Sequence, residues 1–231
     1  MVTTDLVHTE PAEFRMHVVA ESIRLFSEKG YESTPVDEIA AAAGVSRRTL
    51  FRQFRSKEDL IFADHETLLE LVADHLADDS RRDGDPWWAV CEAAELVFAH
   101  YATIRDLAMR RYRVVSQVPA LRDRELVTTY RYQRVFEDFL RTARPDVPRV
   151  RIIAFAGAVT GAHNYLLRSM VRGDDGATAE SLRRELRALR GVVDEFVDGE
   201  QSTSQVAVVT FPPGATPDEI ADAVRKGLTR H

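Results

Sequence analysis

The segment from Thr34 to Leu60 reads TPVDEIAAAAGVSRRTLFRQFRSKEDL, and it admits few arrangements. Thr34 is a good N-cap, and Pro35 suits the first helical position, where no amide partner is lost. Val36, Ile39, Ala40 and Ala43 share one face, and Gly44 accepts the left-handed backbone that closes a helix. Ser46 then caps a second helix running from Arg47 to about Gln53. Ala40 and Ala42 are small enough for the two helices to cross closely, and Val45 fills the corner between them. Ser56 and Asp59 have the spacing of a capping box for a longer helix. That helix carries Leu60, Ile61, Leu68, Leu69, Val72 and Leu76 and ends before the polar stretch 78–85. The pattern predicts a helix-turn-helix.

The second helix of this pair is set apart by its charge. From Val45 to Lys57 there are five basic residues and no acidic one, in a chain whose formal net charge is −6. A local positive patch in an acidic protein suits a helix whose N-terminal residues enter the major groove of DNA, rather than a protein coated in nucleic acid.

The remaining chain is also expected to be almost wholly helical. A first helix, Pro11 to Lys29, places Phe14, Val18, Ile23, Leu25 and Phe26 inward and stops at Gly30. Further helices are expected over 86–101, 102–116, 120–143, 148–172 and 179–198, with Pro119, Pro145, Pro148, Gly173 and Gly176 at the breaks. Past Glu200 the character changes. Residues 201–205 read as a linker, 206–211 as a strand rich in β-branched residues, and Thr216–Glu219 as a capping box opening a short helix to Leu228. The expected fold is all-α: a helix-turn-helix domain (1–57), a larger helical domain for ligand binding and dimerisation (58–199), and a strand-helix extension (200–231). With 45% hydrophobic and 29% charged residues the chain has the composition of a globular protein. One cysteine, Cys91, and an acidic, polar start argue for the cytoplasm and against a signal peptide. The longest apolar stretch is too short and too interrupted to span a membrane.

The window around the turn resembles the tetracycline-repressor (TetR) family of regulators. The matching residues are Phe26, Gly30, Tyr31, Thr34, Ile39, Ala40, Ala43, Gly44, Val45, Ser46, Thr49, Leu50, Phe54, Lys57 and Leu60, all within the first 60 residues. The resemblance implies a homodimer on a palindromic double-stranded operator and a small, mainly apolar ligand that releases it. It implies that Ser46, Arg47, Thr49, Arg52 and Gln53 face DNA, with Thr34 and Lys57 on phosphates at helix N-termini. Three positions depart from the family pattern. Arg48 stands where a glycine or small residue is usual, Phe51 lacks the hydroxyl of the common tyrosine, and Gln53 replaces a tyrosine or histidine. Phosphate contacts then shift to Arg48 and Arg52. Either Arg47 or Arg48 suits a bidentate pair with guanine, and Gln53 suits adenine or a phosphate.

In the larger domain, Trp87, Trp88, Phe98, Tyr101, Tyr112, Phe136 and Phe155 are candidates to wall an apolar ligand cavity. His163 and Asn164, inside the apolar run AFAGAVTGAHNYLL, read either as a satisfied core pair or as the polar end of that cavity. Gly157 and Gly161, flanked by alanines, form a small-residue stripe. With Leu182, Leu186, Leu189, Val193 and Phe196 it is the expected dimer interface, and intrachain packing is the alternative. No nucleophile elbow, P-loop or dinucleotide turn is present. Asp64-His65 and Asp74-His75 lie ten residues apart, a poor spacing for two metal ligands on one helical face. No cofactor, metal or catalytic activity is expected. The competing reading is a ligand-binding or protein-interaction module whose helix-turn-helix no longer meets DNA.

Overall fold

Pro11 opens the first of nine helices in the computed structural model, which describes residues 11–79 and 84–198. They are α1 (Pro11–Lys29), α2 (Val36–Ala42), α3 (Arg47–Gln53), α4 (Asp59–Asp79), α5 (Pro86–Thr103), α6 (Arg105–Gln117), α7 (Pro119–Ala143), α8 (Arg149–Val171) and α9 (Ala179–Asp198). Among the described residues there is no strand. The expected 206–211 strand and the tail helix lie outside the described residues. Described residues up to Val193 belong to one compact unit.

α1 is buried on a wide face, Val18, Val19, Ile23, Leu25 and Phe26, because it packs on α2, α4 and α6 at once. This explains its mixed three- and four-residue spacing. Phe14 is half-buried beside the same cluster. The core runs across residue 57 without interruption: Ile39, Leu50 and Phe54 share a cluster with Leu60, Ile61, Val114, Val115 and Leu121. The head formed by α1–α3 is therefore seated on α4 and α6 rather than hung on a linker.

Local chemistry sets the turns. Gly30 (φ +88) ends α1 and Gly44 (φ +68) ends α2, a backbone region that costs an L side chain about 1–2 kcal/mol. The Gly44 N–H donates to Ala41 O at 3.1 Å and the Val45 N–H to Ala40 O at 2.9 Å. Ala40 and Ala43 are buried at the crossing, whereas Ala42 is exposed. The N-cap of α2 is Pro35, not Thr34. The Thr34 side chain is buried, and its hydroxyl donates to Gly30 O at 2.8 Å, closing the end of α1. Ser46 caps α3, accepting from the Thr49 N–H at 3.1 Å. Ser56 and Asp59 form the reciprocal box that opens α4, with bonds of 3.2 Å in each direction.

In the body, α8 lies against α5, α6 and α7, while α4 packs on α5 and α7. α9 is tied to α5 by Arg183–Glu95 at 2.6 Å and by Arg190 to Asp85, the residue that caps α5. Leu182 and Leu186 have no exposed surface and Val193 is buried, so this stripe packs inside the protomer. These three side chains offer no free surface in the protomer. Leu189 is half-buried, and the Phe196 side chain lies outside the described residues.

Candidate functional site

α3 stands at the surface of the head. Leu50 is buried and anchors it, while Ser46, Arg47, Arg48, Phe51, Arg52 and Gln53 are exposed and Thr49 is half-buried. The exposed residues differ in how free they are. The Arg47 guanidinium is 2.7 Å from the Asp37 carboxylate and 5.2 Å from the centre of the Phe51 ring. Ser46 Oγ is 2.9 Å from Thr49 Oγ1. Arg48 and Arg52 make no ion pair among the described residues, which leaves their donors available to an anion.

Two expected phosphate contacts are turned inward. The Thr34 hydroxyl is spent on Gly30 O. The Lys57 ammonium donates to Tyr31 O and sits 4.4 Å from the centre of the Tyr31 ring and 5.4 Å from that of Phe26. Burial lowers its pKa. Lys57 thus staples the α1–α2 turn to the start of α4.

The body holds a cavity of about 70 Å³ between α4, α5, α6, α7 and α8. Ala94, Val97, Ala108, Phe136, Leu167 and Val171 supply much of its apolar lining. Of the aromatic and polar residues expected there, Tyr101, Tyr112, Phe136, His163 and Asn164 line it. Trp87, Trp88, Phe98 and Phe155 do not: Trp87 and Phe155 meet edge to face at 4.9 Å in the core, and Phe98 is fully buried against the His163 ring.

Sequence reasoning missed the polar end of this cavity, built by His65, Arg111 and Tyr132 with Tyr101. Arg111 is buried, donating from Nε to Ile61 O at 2.9 Å and from Nη2 to His65 Nε2 at 2.6 Å. An acceptor at Nε2 puts the imidazole proton on Nδ1, 3.2 Å from the Tyr132 hydroxyl. Burial and the Arg111 charge push His65 down to about 3, so the ring is neutral. The Tyr101 hydroxyl donates to Asp64 Oδ2 at 3.0 Å. Burial alone would raise the Asp64 carboxyl; the neighbouring His65 and Arg111 and the Tyr101 hydroxyl hold it below the usual range. The one signal in the sequence was Asp64-His65 inside an otherwise apolar helix face. Its partners come from three other helices, so no spacing rule could find them.

α4 carries this network between two ion pairs. Arg124 on α7 pairs with Asp59, and Arg131 pairs with Glu66 through two bonds, one of 2.8 Å. The partners are seven residues apart on both helices, two helical turns, so the pairs fix the register of α4 against α7.

Residues 18–63 match the family described as bacterial regulatory proteins, tetR family. The match covers α1 from Val18, the whole of α2 and α3, and the start of α4. Over this segment the chain is similar to the TetR family. Its head is similar to the transcriptional regulator AcrR of Shigella flexneri, 45% identical over 51 residues, 22% of this chain and 24% of that one. It is similar over a longer stretch to the transcriptional regulator MftR of Mycobacterium tuberculosis, 32% identical over 125 residues, 54% of this chain and 62% of that one. The chain thus spans less than two thirds of these relatives. Among solved structures, a TetR-family regulator from Syntrophomonas wolfei shares the fold, with a TM-score of 0.62 at 18% identity over 79% of this chain and 96% of that one. FadR of Bacillus subtilis, solved in complex with stearoyl-CoA, has a TM-score of 0.51 at 17% identity over 74% of this chain and 96% of that one. These likenesses, over about three quarters of the chain, are of fold.

Proposed function

We propose that this chain is a sequence-specific DNA-binding repressor of the TetR family, released when a small, mainly apolar ligand enters the body cavity. The observation that carries the reading is the capped, exposed α3 with Arg48 and Arg52 unpaired, set on a head continuous with the ligand cavity's own helices. Arg48 and Arg52 serve phosphates, and Gln53 and Arg47 face base edges. Arg47 must exchange Asp37 for DNA, so its contribution is partly offset.

The regulator acts as a homodimer on a palindromic site, in which two heads meet successive major grooves. The dimer surface is the outer face of α8, where Ile153, Ala154, Gly161 and Tyr165 are exposed, joined by Val192 of α9. Nothing lies within 4 Å of a Cβ built on Gly161, so no neighbour within the chain requires a glycine there; close approach of a partner helix does.

Coupling runs through α4. A cavity of about 70 Å³ is well short of the ~300–1,000 Å³ of typical ligand sites. A ligand must therefore push back the walls, and two of the residues in its way, His65 and Arg111, hold α4. A ligand shifts the equilibrium only as far as it prefers one arrangement of α4 over the other.

The test is binding of the purified chain to random duplex DNA over a salt series. Binding that weakens steeply with salt is expected, since each phosphate contact contributes a slope of about −0.9. No binding at 50 mM salt overturns the proposal and favours a module that no longer meets DNA.

A further inference from the structure

The lining of the cavity restricts what it accepts. Each buried or rim cation there already faces a carboxylate. Arg111 is balanced electrostatically by the nearby Asp64 carboxylate, and Arg168 lies 3.8 Å from Glu125. A net charge brought into this space would find no free counter-charge, and burying an unmatched charge is prohibitive. The ligand is uncharged.

The buried hydroxyls of the lining are engaged, whereas Tyr112 and Thr129 are only half-buried. Thr160 donates to Ala156 O at 2.8 Å and Thr128 to Arg124 O at 3.0 Å. Tyr101 and Tyr132 belong to the His65 network. Among the described lining residues, one buried side-chain atom has no hydrogen-bond partner, His163 Nε2. His163 is 8% exposed, and its Nδ1 is 3.2 Å from Asn164 Oδ1. A carboxamide oxygen only accepts, so Nδ1 carries the proton and Nε2 presents a lone pair. Burial pushes this imidazole down to about 4, which keeps it neutral at physiological pH. An unmet acceptor in an apolar cavity selects for a donor.

Building on the ligand-responsive reading above, we propose that the cavity binds an uncharged, mainly apolar molecule bearing a hydroxyl, a phenol or an alcohol, which donates its hydrogen bond to His163 Nε2. Asn164 is the positioning residue that holds the ring in this tautomer. The apolar part of the ligand lies along Val97, Phe136 and Leu167. Size restricts it further: about 70 Å³ is roughly half the ~150 Å³ cavity that takes benzene, so a compact ligand needs only modest displacement of the walls.

The experiment is calorimetric titration of the full chain with 4-ethylphenol, 2-naphthol and 1-octanol, each paired with its methyl ether, and with 4-ethylbenzoate and stearoyl-CoA as anionic probes. At least one hydroxyl compound is expected to bind about tenfold more tightly than its ether, the worth of one hydrogen bond. His163→Leu should bring that ratio close to one. Because the variant can lose its fold, the ¹⁵N shifts of the His163 ring in the native chain give a second readout. Nε2 should appear unprotonated in the free protein and shift when the hydroxyl compound is added. No binding by any of the three hydroxyl compounds, equal binding of alcohol and ether, tighter binding of either anion, or a protonated Nε2 overturns the proposal. Failure on random DNA with a preserved hydroxyl preference removes the regulator reading and leaves this one standing; the reverse outcome removes this one alone.

Discussion

Arg111 Nη2 lies 2.6 Å from His65 Nε2, and this one contact decides the tautomer of a histidine on the helix that joins head to body. The same guanidinium holds the Ile61 carbonyl one turn earlier on α4. Arg111 is therefore a clasp, and its removal takes a partner from three groups: the His65 Nε2 acceptor, the Ile61 carbonyl oxygen and the Asp64 carboxylate. Arg111→Met should destabilise the chain by about 3–5 kcal/mol, the usual cost of orphaning a buried charge. Urea unfolding at pH 7 measures it, and a loss under about 1 kcal/mol speaks against the clasp.

Acid should loosen the body before it protonates the surface carboxylates. His65 and His163 titrate in the folded chain at about 3 and about 4, against about 6.5 when unfolded. Their folded values are depressed, so the unfolded chain binds protons first as pH falls below about 6.5. Stability is complete above that value and declines toward pH 4, by about 2 kcal/mol per histidine between pH 7 and pH 5. Urea midpoints at the two pH values check this. His163→Leu should remove about half of the decline provided that the variant folds cooperatively.

The two carboxylates of α4 that meet α7 should differ in weight. Glu66 bonds to Arg131, and both are half-exposed; Glu66→Ala should cost under about 1 kcal/mol. Asp59 also accepts from the Arg55 and Ser56 N–H groups, so Asp59→Ala loses a cap as well as an ion pair, about 1–2 kcal/mol. Chemical denaturation of the two variants in parallel shows whether the order holds.

Basic residues of the head should separate into those that serve DNA and those that serve the fold. Arg48→Ala and Arg52→Ala should each reduce the salt slope on random duplex by about 1 with little change in melting. Lys57→Ala should do the opposite. Its ammonium is bound to Tyr31 O, so the slope should hold while the head loses stability. A full unit of slope lost in Lys57→Ala would restore it as a phosphate contact.

Gly44→Ala isolates backbone strain. Nothing lies within 4 Å of the added Cβ, so the cost is conformational only, about 1–2 kcal/mol. Thermal unfolding should show the loss, with the α3 surface chemically unchanged.

Local rules made the head legible in the sequence. The caps Ser46 and Ser56, the stop at Gly44 and the buried positions Ile39, Ala40, Leu50 and Leu60 all act over three to five residues, so their spacing carries the structure. Helix limits in the body followed from proline and glycine in the same way. The cap at Pro35 differed because the Thr34 hydroxyl had a better acceptor in Gly30 O, a choice made only once α1 and α2 had met.

The sequence by itself determined the helices of the described residues and a capped, basic, exposed α3, because periodicity, capping and charge are properties of short windows. Only the tertiary structure decided what lies between the helices. His65, Arg111, Tyr132 and Tyr101 sit on four separate helices, and their meeting depends on how those helices cross. The same crossing buried Leu182 and Leu186 inside the protomer, turned Lys57 inward, and left the Nε2 of His163, a residue of the cavity lining, buried without a hydrogen-bond partner. Burial decides which polar groups must find partners, and it is a property of the packed chain rather than of any stretch of sequence.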